Sequence, residues 1–265
     1  MTRLARRLRE ARASGRAALV CYLTAGDPSL TETADLVAAM ADCGADAVEL
    51  GVPFSDPLAD GPTIQRSSQR ALASGASLSG ILELVHRIRE RADVPLVLMT
   101  YHNPVLAYGR ARFAQEARAA GVDATIQTDL PPEEARDWLS LSHDAGLATV
   151  FLVAPTSPPD RIAAAGRAST GFVYCVSRMG VTGASKEIAP EAADLIGRAR
   201  AVAGCPVCVG FGVSTPEHVR TLAAAADGVV VGSALVAIVE QEPTPQARLA
   251  ALRRTTSALA AATRA

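Results

Sequence analysis

Eight short apolar segments alternate with amphipathic segments along the chain, and this alternation restricts its fold more than any other feature. Most are continuous apolar runs, which is typical of parallel strands covered on both faces. They are ALVCYLTAG from Ala18, AVELG from Ala47, PLVLMTY from Pro95, ATIQTDL from Ala124, TVFLVAP from Thr149, FVYCVS from Phe172, PVCVGFG from Pro206 and GVVVGSA from Gly228. Eight β/α units predict a (β/α)8 TIM barrel, with a doubly wound sheet as the alternative.

Length and composition agree with one large α/β core. The chain has 265 residues, 49% of them hydrophobic, and we expect a single barrel domain over residues 1–265. The start, MTRLARRLREARASG, predicts an additional N-terminal amphipathic helix, because Leu4, Leu8 and Ala11 recur at helical spacing. It lacks the apolar centre of a signal peptide, and no apolar run reaches membrane length. We therefore expect a cytoplasmic protein with no membrane partner.

Charge and cysteine usage exclude several other classes of protein. Acidic and basic residues nearly balance, 27 against 26, and the basic ones are scattered, so a nucleic-acid partner is not expected. The five cysteines are an odd number in a chain that needs no disulfides to fold, which predicts free thiols. Cys205 and Cys208 form a CxxC at the entry to a strand, where no helix follows to activate a thiol. The four histidines show no ligand spacing, so we expect no bound metal.

The segment VELGVPFSDPLADGP, residues 48–62, places one acid in an apolar strand and two more on the loop that follows. Burying an unpaired carboxylate costs several kcal/mol, so Glu49 needs a reason to be there. Since Val52-Pro53 ends the strand, Glu49 lies near its carboxyl end, where α/β proteins gather their chemistry. Glu49 is thus a candidate functional acid, and a structural ion pair on the barrel rim is the alternative.

Two connections are unusually long, and the late strands end in glycines. The loop after strand two includes Pro53 to Gly61 and extra helical sequence, and SRMGVTGASKE follows strand six; both are candidate lids. Strand seven ends in VGFG and strand eight in Gly232-Ser233 before a short helix. Glycine lets a phosphate approach backbone N–H groups, and a helix N-terminus favours an anion. These ends together predict a phosphate site, although each glycine alone fits an ordinary tight turn.

Eight motifs follow one another along nearly the whole chain: LTAGDP, VELGVPFSDPLADGPTIQ, VLMTYHNP, DLPPEE, VAPTSPPDRI, FVYCVSRMGVTG, VGFGVSTPEHV and GVVVGSAL. In order and spacing they resemble the tryptophan synthase α subunit family. The resemblance implies a carbon–carbon lyase of tryptophan biosynthesis that cleaves indole-3-glycerol phosphate into indole and glyceraldehyde 3-phosphate. Two separated carboxylates suffice for this retro-aldol step without a metal or a Schiff base, so no cofactor is expected.

The resemblance also assigns roles to residues. It implies that Glu49 protonates indole C3 and receives the hydroxyl proton, that Asp60 holds the indole N–H, and that Tyr174 lies close to Glu49. A turn-stabilising role before Gly61 is the alternative for Asp60. The implied phosphate-binding positions are Gly183, Gly212, Gly232 and Ser233. The implied indole-pocket positions are Tyr22, Tyr101, Ile126, Val153 and Phe211, for which ordinary barrel core is the alternative. The implied lid positions are Asp56, Arg178 and Thr182.

Family members usually dock on a pyridoxal-phosphate-dependent β subunit in an α2β2 heterotetramer, and the resemblance implies such a partner here. The docking positions present are Pro53, Asp56, Asn103, Asp129 and Pro131. The chain departs from the family pattern at Cys21 and at Gln127-Thr128, where a hydroxyl at the edge of the indole pocket and a polar partner for Gln127 are expected. Two alternatives stay open: a stand-alone lyase that releases indole, and a non-catalytic phosphate-binding or regulatory barrel.

Overall fold

Eight parallel strands close into a barrel in chain order, as the alternation of apolar and amphipathic segments predicts. The computed structural model describes residues 2–176, 190–210 and 212–264. The strands are β1 (Ala18–Thr24), β2 (Ala47–Gly51), β3 (Leu96–Thr100), β4 (Ala124–Gln127), β5 (Ala148–Val153), β6 (Val173–Val176), β7 (Val207–Gly210) and β8 (Gly228–Val231). Since β1 pairs with both β2 and β8, the sheet has no free edge. The prediction of a TIM barrel is therefore confirmed.

Helices cover the outside of the barrel and one end of it. In the described residues they are α1 (Arg3–Ala13), α2 (Leu30–Asp42), α3 (Pro62–Ala73), α4 (Leu78–Arg89), α5 (His102–Tyr108), α6 (Arg110–Ala120), α7 (Arg136–Ala145), α8 (Pro159–Ala168), α9 (Pro190–Val202), α10 (Pro216–Ala223), α11 (Ser233–Gln241) and α12 (Pro245–Ala261). A 3₁₀ turn, Pro132–Glu134, precedes α7. None of the helices in this part of the chain is long and apolar enough to cross a bilayer.

Alternate strand residues form two separate apolar clusters. Side chains such as Leu19, Leu50 and Leu98 point outward and pack with the helices in one large cluster. Their neighbours Val20, Val97 and other inward-facing residues fill the barrel in a second, smaller cluster. Because side chains alternate between the two faces of a strand, Glu49 falls on the inward face, between the outward-facing Val48 and Leu50. The register thus places its carboxyl group inside the barrel.

Helix α1 closes the amino end of the barrel with its apolar stripe. Leu4, Leu8 and Ala11 are fully buried and belong to the same cluster as the inward-facing strand residues. The predicted N-terminal helix is confirmed, and its packing shows why the chain carries it. It covers the end of the barrel opposite to the carboxyl ends of the strands, where Glu49 and the loop after β2 lie.

Three buried aspartates at the amino ends of even-numbered strands hold this closed end together. Asp46, Asp123 and Asp227 each accept a backbone N–H from the preceding strand, of Leu19, Leu96 and Val207 respectively, at 2.9 Å. Each also pairs with arginine side chains. The pairs are Arg16–Asp46 at 2.5 Å, Arg3–Asp123 at 2.8 Å, Arg89–Asp123 at 2.7 Å, Arg200–Asp227 at 2.9 Å and Arg12–Asp227 at 3.5 Å. The N-terminal segment therefore contacts all three aspartates.

Candidate active site

Glu49 is a buried carboxylic acid without a partner. Its side chain is 1% exposed, and among the described residues neither carboxyl oxygen has a hydrogen-bond partner. Burial raises its pKa from 4.5 to about 8, because the charged form loses the solvation of water. At neutral pH the group is therefore mostly protonated and can donate a proton. A structural ion pair, the alternative interpretation of Glu49, does not form within this part of the chain.

Two tyrosines flank Glu49, and each depends on a glycine at the end of a strand. Tyr22 is the neighbour of Glu49 in the β1–β2 register, and a Cβ atom at Gly51 would lie only 2.0 Å from its hydroxyl oxygen. A Cβ atom at Gly210 would lie 2.7 Å from the hydroxyl oxygen of Tyr174. Burial raises the pKa of both hydroxyl groups, and the Glu49 charge acts in the same direction. Both tyrosines are therefore neutral hydrogen-bonding groups beside the acid. Gly210, expected among the phosphate-site glycines, instead makes room for Tyr174.

Asp60 lies on the loop between β2 and α3, half-buried at the edge of the same cavity. Burial raises the pKa of its carboxyl group, and a hydrogen bond with the Tyr101 side chain acts in the opposite direction. The backbone holds the residue in place, because the Asp60 N–H donates to Pro57 O at 3.1 Å and Gln65 Nε2 donates to Asp60 O at 2.9 Å.

Tyr101 ties this loop to the barrel. The residue directly follows β3, and its hydroxyl oxygen accepts the N–H of Ala59 at 2.9 Å. Its ring also packs against Phe54, with the ring centroids 5.1 Å apart. Predicted as a wall of the indole pocket, Tyr101 is not among the described residues that line the cavity. Its contacts hold the loop and the carboxyl group of Asp60 in place.

Another part of the cavity wall is formed by glycines and a helix N-terminus. Gly212 adopts φ of 74°, a left-handed conformation that favours glycine, just beyond the end of β7. Gly232 precedes α11 and Ser233 begins it, with no side chain of the described residues capping the first turn. The first N–H groups of a helix lack partners within it, and the aligned peptide dipoles favour an anion at this end. These three predicted residues line one pocket and suit a phosphate group.

The cavity that connects these groups has a volume of about 290 Å³. Seven predicted residues line it: Tyr22, Glu49, Asp60, Tyr174, Gly212, Gly232 and Ser233. Sequence reasoning missed Ile64, Met99, Val213 and Val230, which give the cavity much of its apolar surface. Met99 and Val230 could have been found from strand alternation, since each is two positions from an inward-facing residue of its own strand, Val97 and Gly228. The remaining two lie beyond the strands, where alternation gives no signal.

Several predicted residues lie elsewhere. Val153 packs in the outer cluster and lines a second cavity, so it does not wall this pocket; its neighbour Leu152 packs against the inner cluster instead. Ile126 is buried in the inner cluster and is not among the lining residues. Thr128 also borders the second cavity, so its hydroxyl is not at the edge of this one. The predicted residues Arg178, Thr182, Gly183 and Phe211 lie outside the described residues.

Gln127 finds the polar partner that its outward position requires. Its Oε1 lies 2.5 Å from His102 Nδ1, at the start of α5. Asp129 accepts the backbone N–H of His102 at 2.7 Å, and so caps the same helix. The departure from the family pattern at Gln127 is therefore accommodated in part: Oε1 contacts α5, and Nε2 is buried without a hydrogen-bond partner among the described residues.

Cysteine and metal chemistry have no support at this site. The five cysteines are free thiols. Burial raises the pKa of Cys205 to about 11 and that of Cys208 well above its ordinary value, which disfavours a reactive thiolate. Within the described ranges, no group of three His, Cys, Asp or Glu side chains is placed to hold a metal ion. The polar groups that the structure brings together are thus two carboxyls, two phenols and a helix N-terminus.

Comparison with known proteins identifies the family. The family model described as tryptophan synthase alpha chain matches residues 8–264. The tryptophan synthase alpha chain of Citrifermentans bemidjiense is 52% identical over 241 residues, which are 91% of this chain and 90% of that one. That of Desulfatibacillum aliphaticivorans is 46% identical over 253 residues, or 96% of each chain.

Solved structures agree with the sequence relatives. A structure of Mycobacterium tuberculosis tryptophan synthase superimposes with a TM-score of 0.91 at 43% identity, covering 100% of this chain and 99% of that one. Tryptophan synthase subunit alpha from Legionella pneumophila gives a TM-score of 0.90 at 36% identity, covering 99% and 98%. Sequence, fold and the arrangement of the cavity lead to the same conclusion. The chain belongs to the tryptophan synthase alpha chain family.

Proposed function

We propose that this chain, a carbon–carbon lyase of its family acting on indole-3-glycerol phosphate, uses Glu49 as the proton donor and acceptor and Asp60 as the partner of the indole N–H. One observation carries the proposal: a protonated acid that has no hydrogen-bond partner among the described residues faces a cavity that is also lined by a second carboxyl and a helix N-terminus. That set of groups matches a substrate with a ring nitrogen and a phosphate.

Glu49 alone accounts for both proton transfers of the reaction. The neutral acid donates its proton to indole C3, which makes the ring a leaving group. The bond between C3 and the adjacent carbinol carbon then breaks, the carbinol oxygen becomes the aldehyde oxygen of glyceraldehyde 3-phosphate, and its proton passes to the Glu49 carboxylate. Positive charge that develops on the ring is stabilised by Asp60 through the N–H. Each positioned proton transfer contributes about 10²–10⁴-fold, so positioning and electrostatics supply the rest.

Tyr174 and Tyr22 complete the wall around the acid. Both are neutral, both line the cavity, and Tyr174 lies close enough for the Glu49 charge to raise its pKa. We propose that Tyr174 orients the Glu49 carboxyl during turnover.

The phosphate is held at the N-terminus of α11 by backbone N–H groups and the Ser233 hydroxyl, with Gly212 and Gly232 allowing close approach.

The direct test replaces the acid with its isosteric amide. In Glu49→Gln, indole release falls by at least about 100-fold, because the amide neither donates a proton to carbon nor accepts one from the hydroxyl. Substrate binding stays within a few-fold, since the shape of the cavity is kept. The matched control is Glu116→Gln, a surface carboxylate that pairs with Arg112 at 2.7 Å. Persistent cleavage by Glu49→Gln would overturn the assigned role.

We further propose that the partner is a pyridoxal-phosphate-dependent tryptophan synthase β subunit, in an α2β2 complex. The loop after β2 supports this, because Leu58 is 94% exposed at its tip beside the exposed Asp56. We propose that the β subunit covers this side chain together with the loop that carries it. Asn103, in the first turn of α5, and Asp129, which follows β4, are exposed as well.

The partner is tested by turnover of the chain with and without an added β subunit. We expect activation on mixing, and a Leu58→Asp variant keeps its basal activity but needs more β subunit to reach the same activation. Equal rates with and without the β subunit would favour the stand-alone lyase instead.

We also propose one barrel domain over residues 1–265, working in the cytoplasm without nucleic-acid or membrane partners.

A further inference from the structure

Helix α3 carries the residues that form one end of the cavity. Asp60 and Gly61 precede it, Pro62, Thr63 and Ile64 form its first turn, and all five line the cavity. Two hydrogen bonds join the first turn to the loop: Gln65 N to Gly61 O at 3.0 Å and Gln65 Nε2 to Asp60 O at 2.9 Å. The position of Asp60 is therefore set by where α3 lies.

Helix α11 begins at the part of the cavity wall that suits a phosphate, and it packs against α3. It begins at Ser233, and Glu240 lies in its last turn. Arg66 and Arg70 are four residues apart on α3, so they project from the same face of the helix towards Glu240. Arg66 binds the carboxylate through two parallel bonds, Nε to Oε1 and Nη2 to Oε2, both 2.8 Å. Arg70 Nη1 adds a bond of 2.9 Å to Oε1.

Arg70 also binds the loop after β1. Arg70 Nε and Nη2 donate to the two carboxylate oxygens of buried Asp27, at 2.9 and 2.7 Å. An isolated surface ion pair contributes little to stability, but bidentate geometry within a network of charges is the situation in which such pairs matter. The two arginines also hold the pKa of Glu240 at about 2, so its carboxylate stays charged throughout the physiological range.

We propose that Arg66, Arg70 and Glu240 form an inter-helix clamp that fixes Asp60 relative to the phosphate-binding end of α11, which makes Glu240 a positioning residue for cleavage. The inference rests on the proposed function, since it assigns the two ends of the substrate to these two helices. When α11 binds the phosphate of the substrate, the ring nitrogen of the substrate lies at a fixed distance from the N-terminus of α11. Asp60 meets that nitrogen only while the clamp keeps α3 in place.

The clamp predicts a loss in kcat rather than in substrate affinity. In Glu240→Gln, kcat for cleavage of indole-3-glycerol phosphate falls about tenfold while KM stays within about twofold, because a displaced Asp60 loses an interaction that strengthens in the transition state. Arg66→Lys, which keeps the charge and loses the two parallel bonds, shows a smaller loss of the same kind. The matched control is Glu32→Gln, which breaks the pair of Glu32 with Arg248, 2.7 Å apart between α2 and α12, and leaves kcat unchanged.

A double-mutant cycle separates positioning from general destabilisation. If the clamp acts through Asp60, Glu240→Gln causes no further loss of kcat when Asp60 has already been replaced by asparagine. Native-state hydrogen exchange gives a readout besides activity: the amides of Asp60 and Gln65 exchange several-fold faster in Glu240→Gln and at the wild-type rate in Glu32→Gln.

The possible failures are distinct. Absence of cleavage by the wild-type chain together with a β subunit would overturn the proposed function. Normal wild-type cleavage combined with an equal loss from Glu240→Gln in both backgrounds, or with unchanged exchange at Asp60 and Gln65, would overturn the clamp. An equal loss of kcat in Glu32→Gln would also overturn it, because the effect would then not be specific to the contact between α3 and α11.

Discussion

Tyr22 and Glu49 are direct neighbours in the β1–β2 register, yet the carboxyl of Glu49 receives no hydrogen bond from the Tyr22 hydroxyl. That hydroxyl extends past the acid to Thr24 Oγ1, 3.4 Å away, and occupies the space that a side chain at Gly51 would need. Thr24 in turn contacts Ser67 Oγ on α3 at 2.6 Å. The Tyr22 hydroxyl therefore interacts with the barrel rim, and the Glu49 carboxyl has no hydrogen-bond partner within residues 2–176, 190–210 and 212–264.

The first prediction concerns the pH dependence of the reaction. The pKa of Glu49 is raised to about 8, and the reaction requires its protonated form to donate to carbon. We therefore expect kcat/KM to be level near neutral pH and to fall about tenfold per pH unit above roughly pH 8. Steady-state indole release across the pH range checks this. A rate that continues to rise through pH 9 would contradict it.

The second prediction is that the catalytic acid destabilises the protein at high pH. The folded-state pKa of about 8 lies above the unfolded value of 4.5, so the folded state binds more protons between these values. The free energy of unfolding attributed to Glu49 therefore declines as pH rises from about 4.5 to about 8 and then levels off. Glu49→Gln removes this penalty. We expect it to raise the unfolding free energy by up to several kcal/mol at pH 9 and to have little effect near pH 5.

Urea denaturation of both proteins at the two pH values measures this difference. Glu116→Gln is again the control, because the pKa of Glu116 is lowered by hydrogen bonds from Arg112 and Tyr108. Replacing the Glu116 carboxylate therefore does not raise the free energy of unfolding at high pH. A Glu49→Gln variant less stable than wild type at pH 9 would show that the carboxylate has a stabilising partner.

The third prediction concerns Gly51. A Cβ atom there would lie 2.0 Å from the Tyr22 hydroxyl oxygen and 2.6 Å from Cζ, so Gly51→Ala must displace the ring beside Glu49. We expect a loss of about 1–3 kcal/mol in unfolding free energy together with a loss of activity. Adding Tyr22→Val to this variant restores part of the stability, because the clash is gone.

The control for this change is Gly197→Ala. Gly197 lies within α9, and nothing is within 4 Å of an added Cβ. Alanine is favoured over glycine in a helix by about 0.5–1 kcal/mol, so this variant is more stable than wild type. A stable and fully active Gly51→Ala would contradict the packing described for Tyr22.

The fourth prediction concerns the closed end of the barrel. Asp123 is 1% exposed and binds Arg3, Arg89 and the Leu96 N–H. Asp123→Asn leaves two cations without their carboxylate, and we expect a loss of about 3 kcal/mol in unfolding free energy. Asp42→Asn, which removes an exposed pair with Arg253 at 3.2 Å, changes it by less than about 1 kcal/mol. Equal effects of the two variants would show that burial of Asp123 contributes nothing.

The sequence predicted the barrel and the location of the acid well, because both follow from local rules. Continuous apolar runs mark parallel strands, and Glu49 stands out as a carboxyl within one of them. Side-chain direction was harder to predict. Val153 was assigned to the pocket, but the alternation along β5 places Leu152 inward and Val153 outward. A shift of one residue changes the face of a strand, so an assignment by motif alone is sensitive to register.

Contacts between distant segments gave no signal in the sequence. Gly210 was grouped with the phosphate-site glycines, yet it makes room for Tyr174 on the neighbouring strand. Tyr101 was placed in the pocket wall, yet it holds Ala59 and Phe54 of the loop after β2. The contact of Glu240 with α3 joins residues 174 positions apart and has no local pattern. The contact of Glu240 with α3 depends on the closure of the barrel, which brings the first and last strands together.

The most direct measurement is the protonation state of Glu49 itself. Infrared difference spectra between the wild-type protein and Glu49→Gln, recorded over a pH series, isolate the carboxyl band of this one residue. We predict a band of the protonated acid at neutral pH that converts to carboxylate with a midpoint near the pKa of about 8. A midpoint near 4.5, the ordinary value for glutamate, would contradict the account, because Glu49 would then be a carboxylate at neutral pH with no proton to donate.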